Sequence, residues 1–493
     1  MDAALSGEIY IPEDILQPLL KASNSSTLNE CLQSLIGVSR TEDGRSDLAS
    51  KRILPVVLQL IQSIPHSSAH HFLLLSLRLL RNLCAGEVEN QNLFIDCNGL
   101  GVVSSAIDVV GFDIDDSGVA IIRTALQVVA NVSLAGEKHQ CAIWDQFFPE
   151  LFLKIARIRK RETCDPLCMI NYTCSDGSIK LFPELCRTPG LAIMAEIIQT
   201  ASEVGFGEDW LKIILSRICL EESHFPALFM SLNGGFDNLG NDESRGINFT
   251  KEVAFLLRIL SEILNERLKE IHVVSELALF VLGIFEKAVK AVDFYTRGES
   301  GLPTGIPTSD VLGYSLTVLR DICAQGKPQA ADTEEVPEDA VDSLVSRGLL
   351  DLLLSLLREL ELPSSIRKSM KPGENQGLTS QPSKVCPYKG FRRDIVAVIA
   401  NCSFGRKYVQ DEVREKNGII LLLQQCVLDE DNPFLREWGI WCASNILQGN
   451  AENQQMVADL EMQGTVEVPE LAKLGLRVDI DPNTKHAKLV NIS

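Results

Sequence analysis

Aromatic residues are scarce in this 493-residue chain, at 6% of positions, although hydrophobic residues as a whole reach 45%. Core packing must therefore fall mainly to Leu, Ile, Val and Ala, as it does where helices pack on helices. Long apolar runs are missing too, and the longest, 277–285, is flanked by Glu276 and Glu286. A membrane-spanning helix needs roughly 18 or more apolar residues. We therefore expect no membrane insertion.

Basic residues are few relative to acidic ones. The chain has 46 Lys and Arg and 66 Asp and Glu, which gives a formal net charge of −20. Nucleic-acid phosphates are bound by clustered cations, and no basic stripe is visible along the sequence. We therefore expect no nucleic-acid partner. An acidic protein can attract basic segments of other proteins, but net charge alone does not show that it does.

Motifs that carry chemistry are absent from the sequence. It has no Walker motif, nucleophile elbow or Cys-x-x-Cys pair, and His66, His70 and His71 cluster without a helical His-Glu-x-x-His. The first residues lack the basic and apolar regions of a secretory signal. Cysteines such as Cys84 and Cys402 lie in apolar runs, where a free thiol acts as a small hydrophobe. We predict an intracellular, non-enzymatic protein with no cofactor and no metal.

The sequence does contain a recurring motif: an apolar run, an Asn, a small residue or Cys, and a polar turn. Successive asparagines are separated by 49 (131 − 82), 40 (171 − 131) and 44 (445 − 401) residues. Helical repeats of about 40–47 residues are typical of armadillo and HEAT proteins, whose units bury their apolar faces by stacking. We therefore predict an all-α, armadillo/HEAT-like solenoid. Its repeat asparagines are Asn82, Asn131, Asn171, Asn401 and Asn445.

These asparagines are candidates for protein binding. Armadillo proteins place them on the third helix of each repeat, which lines a concave groove, where an amide can bind the backbone of an extended peptide. The alternative is that each Asn pairs with the backbone of the neighbouring repeat, and the sequence leaves both possibilities open.

Nuclear-import adaptors of this fold carry a Trp four residues before the Asn, which forms slots for Lys or Arg side chains. In this sequence only Trp441, before Asn445, has that spacing. The other four positions hold Arg78, Gln127, Leu167 and Ala397. An import-type adaptor that binds basic peptides is therefore the alternative function, and the missing Trp ladder counts against it.

Polar stretches suggest the domain boundaries. An N-terminal repeat array is predicted for residues 1–361, with insertions near 233–248 and 297–310. The stretch 362–387 contains four Pro and no apolar period, so we expect a mobile linker or loop. Further repeats are predicted for 388–475, followed by a flexible tail at 476–493.

The C-terminal repeat block carries a specific signature, Asp429-x-Asp431-Asn432-Pro433-Phe434-Leu435-x-Glu437-Trp438. With this signature, residues 385–475 resemble the C-terminal domain of the ataxin-10 family. The resemblance implies an armadillo-like cytoplasmic protein without catalytic activity, which acts as a scaffold or regulator in cell division or in cell growth and survival. We accordingly expect partners that are other proteins, and homo-oligomerisation stays open.

The beginning of this signature also has a physical interpretation. Asn432 can cap a helix whose first residue is Pro433, the position where a missing N–H costs least. Asp429 and Asp431 would then lie near the positive end of the helix dipole.

The rest of the signature continues into an aromatic series. Phe434, Trp438 and Trp441 recur at i, i+4 and i+7, which predicts one stripe on a helix. The stripe either packs between repeats or offers an exposed anchor to a partner, since Trp is frequent at binding hot spots. We predict that Trp438 is structural and that Trp441 is the better candidate for contact.

Overall fold

Helices make up most of the computed structural model, which describes residues 26–64, 70–111, 115–205, 209–233, 249–325, 339–369, 383–459, 476–480 and 487–491. The predicted fold class, an all-α helical-repeat solenoid, is confirmed. The chain forms two compact units, Met1–Ile271 and His272–Ser493.

The first unit is helical throughout its described part, with one short π-helical turn at Arg217–Glu221. Its helices are α1 (Ser26–Val38), α2 (Glu42–Ser50), α3 (Ile53–Ser63), α4 (His70–Leu83), α5 (Val88–Asp96), α6 (Gly99–Val110), α7 (Asp116–Ser133), α8 (Glu137–Phe147), α9 (Glu150–Ala156), α10 (Arg161–Ser175), α11 (Leu181–Leu185), α12 (Thr188–Val204), α13 (Asp209–Ser216), α14 (Phe225–Leu232) and α15 (Lys251–Glu266).

The second unit adds one small sheet to its helices. The helices are α16 (Ser275–Ala291), α17 (Pro307–Ala324), α18 (Ala340–Ser346), α19 (Leu349–Glu359), α20 (Ser364–Ser369), α21 (Phe391–Ser403), α22 (Lys407–Glu415), α23 (Gly418–Leu423), α24 (Leu435–Leu447) and α25 (Ala451–Ala458). The strands are β1 (Leu476–Ile480) and β2 (Ala487–Asn491).

The repeat predicted from both ends of the sequence is present in both units. Asn98 and Asn417 each adopt a left-handed conformation with φ 53° immediately before a new helix, α6 and α23 respectively. Asn is one of the few residues other than Gly that adopts this conformation readily. The Asn-Gly pairs therefore mark the same turn in two repeats.

The helices that carry the recurring motif pack directly on one another. In the first unit α7 lies against both α4 and α10, and in the second unit α21 lies against both α17 and α24. Their apolar faces form the core, with Leu79, Val129, Leu319 and Ile399 almost completely buried. Stacking of equivalent helices is how a solenoid buries surface that no single repeat can bury alone.

The division of the chain differs from the predicted boundary at 362–387, which falls inside the second unit. Residues 370–382 and most of the predicted insertion at 233–248 lie outside the described residues. The described ends of the 362–387 stretch are held by backbone pairing. The amide of Val385 donates to the carbonyl of Phe294 at 2.8 Å, and the amide of Lys384 donates to that of Glu359 at 3.0 Å.

A second correction concerns the expected flexible tail at 476–493. Strands β1 and β2 pair antiparallel, with Leu476 opposite Asn491 and Ile480 opposite Ala487. In β1, apolar Leu476, Val478 and Ile480 alternate with polar residues, which is the period of a strand rather than of a helix.

No single helix in the described ranges is long and apolar enough to cross a membrane. One pair, α5 and α6, reaches that length and composition only when taken together, and the two helices are bent by 73°.

Candidate protein-interaction site

Three of the five repeat asparagines link neighbouring repeats. The Nδ2 atom of Asn131 donates to the carbonyl of Arg81 at 2.9 Å, that of Asn445 to Ala400 at 2.9 Å, and that of Asn401 to Arg320 at 3.0 Å. Each acceptor is the residue just before the equivalent position in the repeat against which the helix packs. We call these three contacts the asparagine ladder.

The other two asparagines make different contacts. Buried Asn171 donates to the carbonyl of Leu167 in its own helix at 2.8 Å. The Nδ2 atom of Asn82 donates to the hydroxyl of Ser39 at 3.1 Å, while its Oδ1 accepts from Arg81. These contacts and the ladder supply structural roles for all five amides. Binding of a partner peptide by these amides stays a prediction.

A second repeated polar position, nine residues after the Asn, was missed by the sequence analysis. The Nε2 atom of Gln91 donates to the carbonyls of Cys84 and Asn131, both at 2.9 Å. Gln410 repeats this arrangement with the carbonyl of Asn445 at 2.9 Å. The signal was present in the sequence, because Gln91 and Gln410 each follow a repeat Asn by nine residues.

The predicted cap of the signature helix is wrong. Helix α24 begins at Leu435, and its N-cap residue is Phe434, which adopts a left-handed conformation with φ 65°. Asn432 and Pro433 lie in the turn that precedes the helix and are not part of its first turn. Pro433 and Glu437 are exposed, whereas Leu435 is buried.

Asn432 instead has a central role in a buried polar cluster. Its Oδ1 accepts from the amide of Arg392 at 2.9 Å, and its Nδ2 donates to Asp429 at 3.1 Å. The carbonyl of Asp431 accepts from the amide of Gly390 at 2.9 Å, and its carboxylate pairs with Arg297. Asp429, Asp431 and Asn432 therefore fix the segment that leads into α21, and do not act on a helix dipole.

Burial sets the electrostatics of this cluster. The Arg392 guanidinium is almost fully buried, which lowers its pKa, and it donates to Gln425 at 3.1 Å and to the carbonyl of Glu361. Burial also raises the pKa of Asp394, which accepts from the Tyr388 hydroxyl at 3.0 Å and from Arg393 at 2.8 Å. Buried charges with such partners fix a packing arrangement and are poorly accessible to a ligand.

The aromatic stripe is largely exposed, so the interpretation of the whole stripe as core is wrong. Phe434 is 68% exposed and Trp441 is 57% exposed, while Trp438 is half-buried. Ile440, next to Trp441, is 55% exposed. We call Phe434, Ile440 and Trp441 the α24 apolar face. The relative burial of Trp438 and Trp441 follows the predicted order of structural and contact roles.

The opposite side of α24 is tightly packed. Leu435, Cys442 and Ile446 are buried. Gly439 lies so close to the preceding loop that an added Cβ would come within 2.6 Å of the carbonyl oxygen of Gln425. The α24 apolar face therefore lies on the opposite side of a helix whose buried side is firmly packed.

Among the described residues, the histidines that cluster in the sequence form no ligand set. His66 lies outside the described residues, and the Nε2 atom of His71 is 3.0 Å from the side-chain oxygen of Asn29. Cys164, Cys168 and Cys174 are buried, and burial raises their thiol pKa values. Across the described ranges, no group of three or more His, Cys, Asp or Glu is arranged to hold a metal ion.

Comparison with known proteins places the signature in a named family. Residues 391–489 match the family model of the spinocerebellar ataxia type 10 protein domain. Ataxin-10 from Bos taurus is 24% identical over 91% of this chain and 92% of its own length. An ataxin-10 homolog from Dictyostelium discoideum is 33% identical over 22% of this chain and 17% of its own length. A crystal structure of an engineered protein aligns with 87% of this chain and 98% of its own length, at 14% sequence identity. The TM-score of this alignment is 0.30, which is too low to indicate a shared fold.

The match to the family model covers the buried cluster around Asn432 and the α24 apolar face. The similarity to bovine ataxin-10 extends over both compact units. Residues 391–489 therefore carry the spinocerebellar ataxia type 10 protein domain, and the chain is similar to ataxin-10 over most of its length.

Proposed function

We propose that this chain is a non-catalytic scaffold or regulator that acts in the cytoplasm by binding other proteins, in cell division or in cell growth and survival. Similarity to ataxin-10 supports the scaffold function. The single observation that carries the proposal is the α24 apolar face, because it exposes two large aromatic side chains on a firmly packed helix.

Exposed aromatic residues on a firmly packed helix suit a binding surface. Tyr, Trp and Arg are enriched among the residues that dominate interface energetics, and the rigid rings of Tyr and Trp bury much area at a small entropic cost. Arg436 and Glu437, on the same helix, are exposed and lie 3.7 Å apart at their charged ends. Aromatic anchors beside charged groups match the apolar centre and polar rim of a typical interface.

A second copy of the chain is the partner that we propose for this face. The matched family model is named for homo-association, and the α24 apolar face lies within the matched residues. A two-fold interface uses the same patch on both subunits, so two copies of Trp441 and Phe434 would bury each other.

Import of basic cargo receives less support. Its Trp ladder is missing at four of the five repeat asparagines, and Arg78 holds one of those positions. A guanidinium there repels the Lys or Arg side chains that such a slot would need to accept.

Sedimentation velocity of the full chain over a concentration series tests self-association. We expect the wild type to form a larger species than the 54.3 kDa monomer, and Phe434→Ser with Trp441→Ser to shift it towards the monomer. The matched control replaces two exposed apolar residues of the first unit, Val88→Ser with Ile179→Ser.

Melting temperatures of both double variants should stay close to that of the wild type. Equal self-association of all three proteins would show that the α24 apolar face is not the interface. A wild type that stays monomeric throughout the concentration series would contradict self-association itself.

A further inference from the structure

The fold gathers positive charge that the sequence analysis did not detect. Two adjoining cavities of the first unit, of about 460 and 560 Å³, share Arg78 and Arg81 in their linings. Arg123 and Lys160 line the first cavity, and Arg40 and Arg45 line the second. These cations come from four separate segments of the chain, so no stripe appears in the sequence, but stacking of successive repeats brings them together. We call this region the basic groove.

Among the described residues, none of the six cations of the basic groove forms an ion pair with a carboxylate within 4.0 Å. Arg81 instead donates to the amide oxygens of Asn82 and of Gln127, the latter at 3.0 Å. Asp116 and Glu162 line the first cavity without pairing with its cations. Elsewhere in the same unit arginines do pair, as Arg157 does with Glu196 at 3.1 Å.

The unpaired cations also crowd one another. Burial lowers the pKa of Arg81, and the neighbouring charges of Arg78 and Arg123 lower it further. Like charges that lie close together without counter-charges destabilise the free protein and bind an incoming anion strongly. Six cations gathered in one region of a chain of net charge −20 indicate a site for an anionic ligand.

Amide groups in the same lining indicate what kind of ligand the groove suits. Gln33, Asn82 and Gln127 line the two cavities, and side-chain amides can both donate to and accept from a peptide backbone. Arg78 and Arg81 belong to α4, and Arg123 and Gln127 to α7, which pack on each other. Guanidinium groups bind carboxylates through paired hydrogen bonds.

We propose that the basic groove binds an extended acidic segment of a partner protein. Carboxylates of the segment pair with Arg78, Arg81 and Arg123, and its backbone contacts the amides of the lining. A nucleic acid fits less well, because the described lining of the two cavities contains no aromatic side chain on which bases could stack. The groove lies in the first unit, so this inference is independent of the α24 apolar face.

Fluorescence anisotropy of the full-length wild type tests the proposal with a fluorescein-labelled octaglutamate peptide as the probe. We expect saturable binding that weakens as salt is added, because salt screens exposed charges. An octaglutamine peptide of the same length should not bind. Unlabelled oligothymidylate of matched charge should compete poorly, and inorganic phosphate should compete only at high concentration.

Charge reversal then locates the site. Arg78→Glu with Arg123→Glu should weaken octaglutamate binding at least about tenfold, since removal of one side of a close charge pair leaves the other unpaired. The matched control, Lys180→Glu with Arg187→Glu, makes the same charge change at two exposed cations of the first unit and should bind as the wild type does. Should the reversal variant unfold, Arg78→Gln with Arg123→Gln makes the same test without added negative charge.

Two results would overturn the proposal. One is equal binding of octaglutamate and octaglutamine, or equal loss in the groove and control variants. The other is tighter binding of the oligothymidylate than of octaglutamate, which would assign the groove to nucleic acid.

Discussion

The repeat asparagines act at the scale of single residues, where one amide joins two repeats. The asparagine ladder supplies donors to backbone carbonyls at the junction between stacked helices. Asn445 is the most buried member, with 4% of its surface exposed. A buried carbonyl left without a donor costs about 1–3 kcal/mol.

Replacement of a ladder residue should therefore lower stability. We expect Asn445→Ala to reduce the free energy of unfolding by about 1–3 kcal/mol, because the carbonyl of Ala400 loses its donor. Urea unfolding followed by circular dichroism measures the change. Ser444→Ala, at the exposed neighbouring position of the same helix, should change it little. Equal stability of Asn445→Ala and the wild type would show that the ladder contributes no net energy.

The two tryptophans of α24 should separate stability from binding. Truncation of a Trp in a core costs ~3–5 kcal/mol, and Trp438 is only half-buried, so we expect Trp438→Ala to cost about 2 kcal/mol. Trp441→Ala should leave the melting temperature nearly unchanged, because the ring is mostly in solvent. A large fall in melting temperature for Trp441→Ala would contradict its assignment to the binding surface.

Element-scale organisation is clearest where the segment before α21 meets the loop before α24. Asn432 bridges the two, since it accepts from the amide of Arg392 and donates to Asp429. The family signature is thus explained by the docking of one element on another. From the sequence alone, the position of Asn432 before Pro433 suggests a helix cap instead.

Loss of that bridge should loosen the end of the second unit. We expect Asn432→Ala to destabilise the protein by about 1–3 kcal/mol, because a buried amide on Arg392 and a carboxylate on Asp429 both lose a partner. Hydrogen exchange should report faster exchange in α21 and α24. Pro433→Ala, at the exposed neighbouring position, is the control, and equal exchange in both variants would argue against the bridge.

Periodic features of the elements were predictable from sequence, and contacts between distant residues were not. The repeat spacing is a local pattern that appears as predicted, and the Asn-Gly turns at Asn98 and Asn417 are equally local. The partners of Asn432 and the basic groove combine side chains that come together only after stacking, such as Arg392 with Gln425 and Arg78 with Arg123. The exposure of Phe434 depended on its left-handed conformation, which a helical pattern does not reveal.

At the scale of the whole molecule, the thiols report how completely the repeats bury their core. Of the fourteen cysteines, ten are buried and four are partly accessible: Cys31, Cys97, Cys141 and Cys426. Burial raises the pKa of Cys186 to about 12 and that of Cys164 to about 12. The reactive form of a thiol is the thiolate, so buried cysteines at neutral pH should be nearly inert.

Thiol labelling should therefore distinguish two classes of cysteine. We expect a maleimide reagent at neutral pH to modify at most the four accessible cysteines of the native chain, and all fourteen after denaturation in urea. Peptide mass spectrometry identifies the sites. Rapid labelling of Cys168 or Cys442 in the native chain would contradict the packing of the repeats.

The central claim is that this chain, which is similar to ataxin-10, works by binding proteins through surfaces that its packed repeats present. Quantitative mass spectrometry of proteins captured by the tagged full chain tests it most directly, with the wild type compared with Phe434→Ser/Trp441→Ser and with the control Val88→Ser/Ile179→Ser. The account predicts a defined set of cytoplasmic proteins, including untagged copies of the chain, that both the wild type and the control capture and that the α24 variant loses. Capture of the same proteins in the same amounts by all three would contradict it.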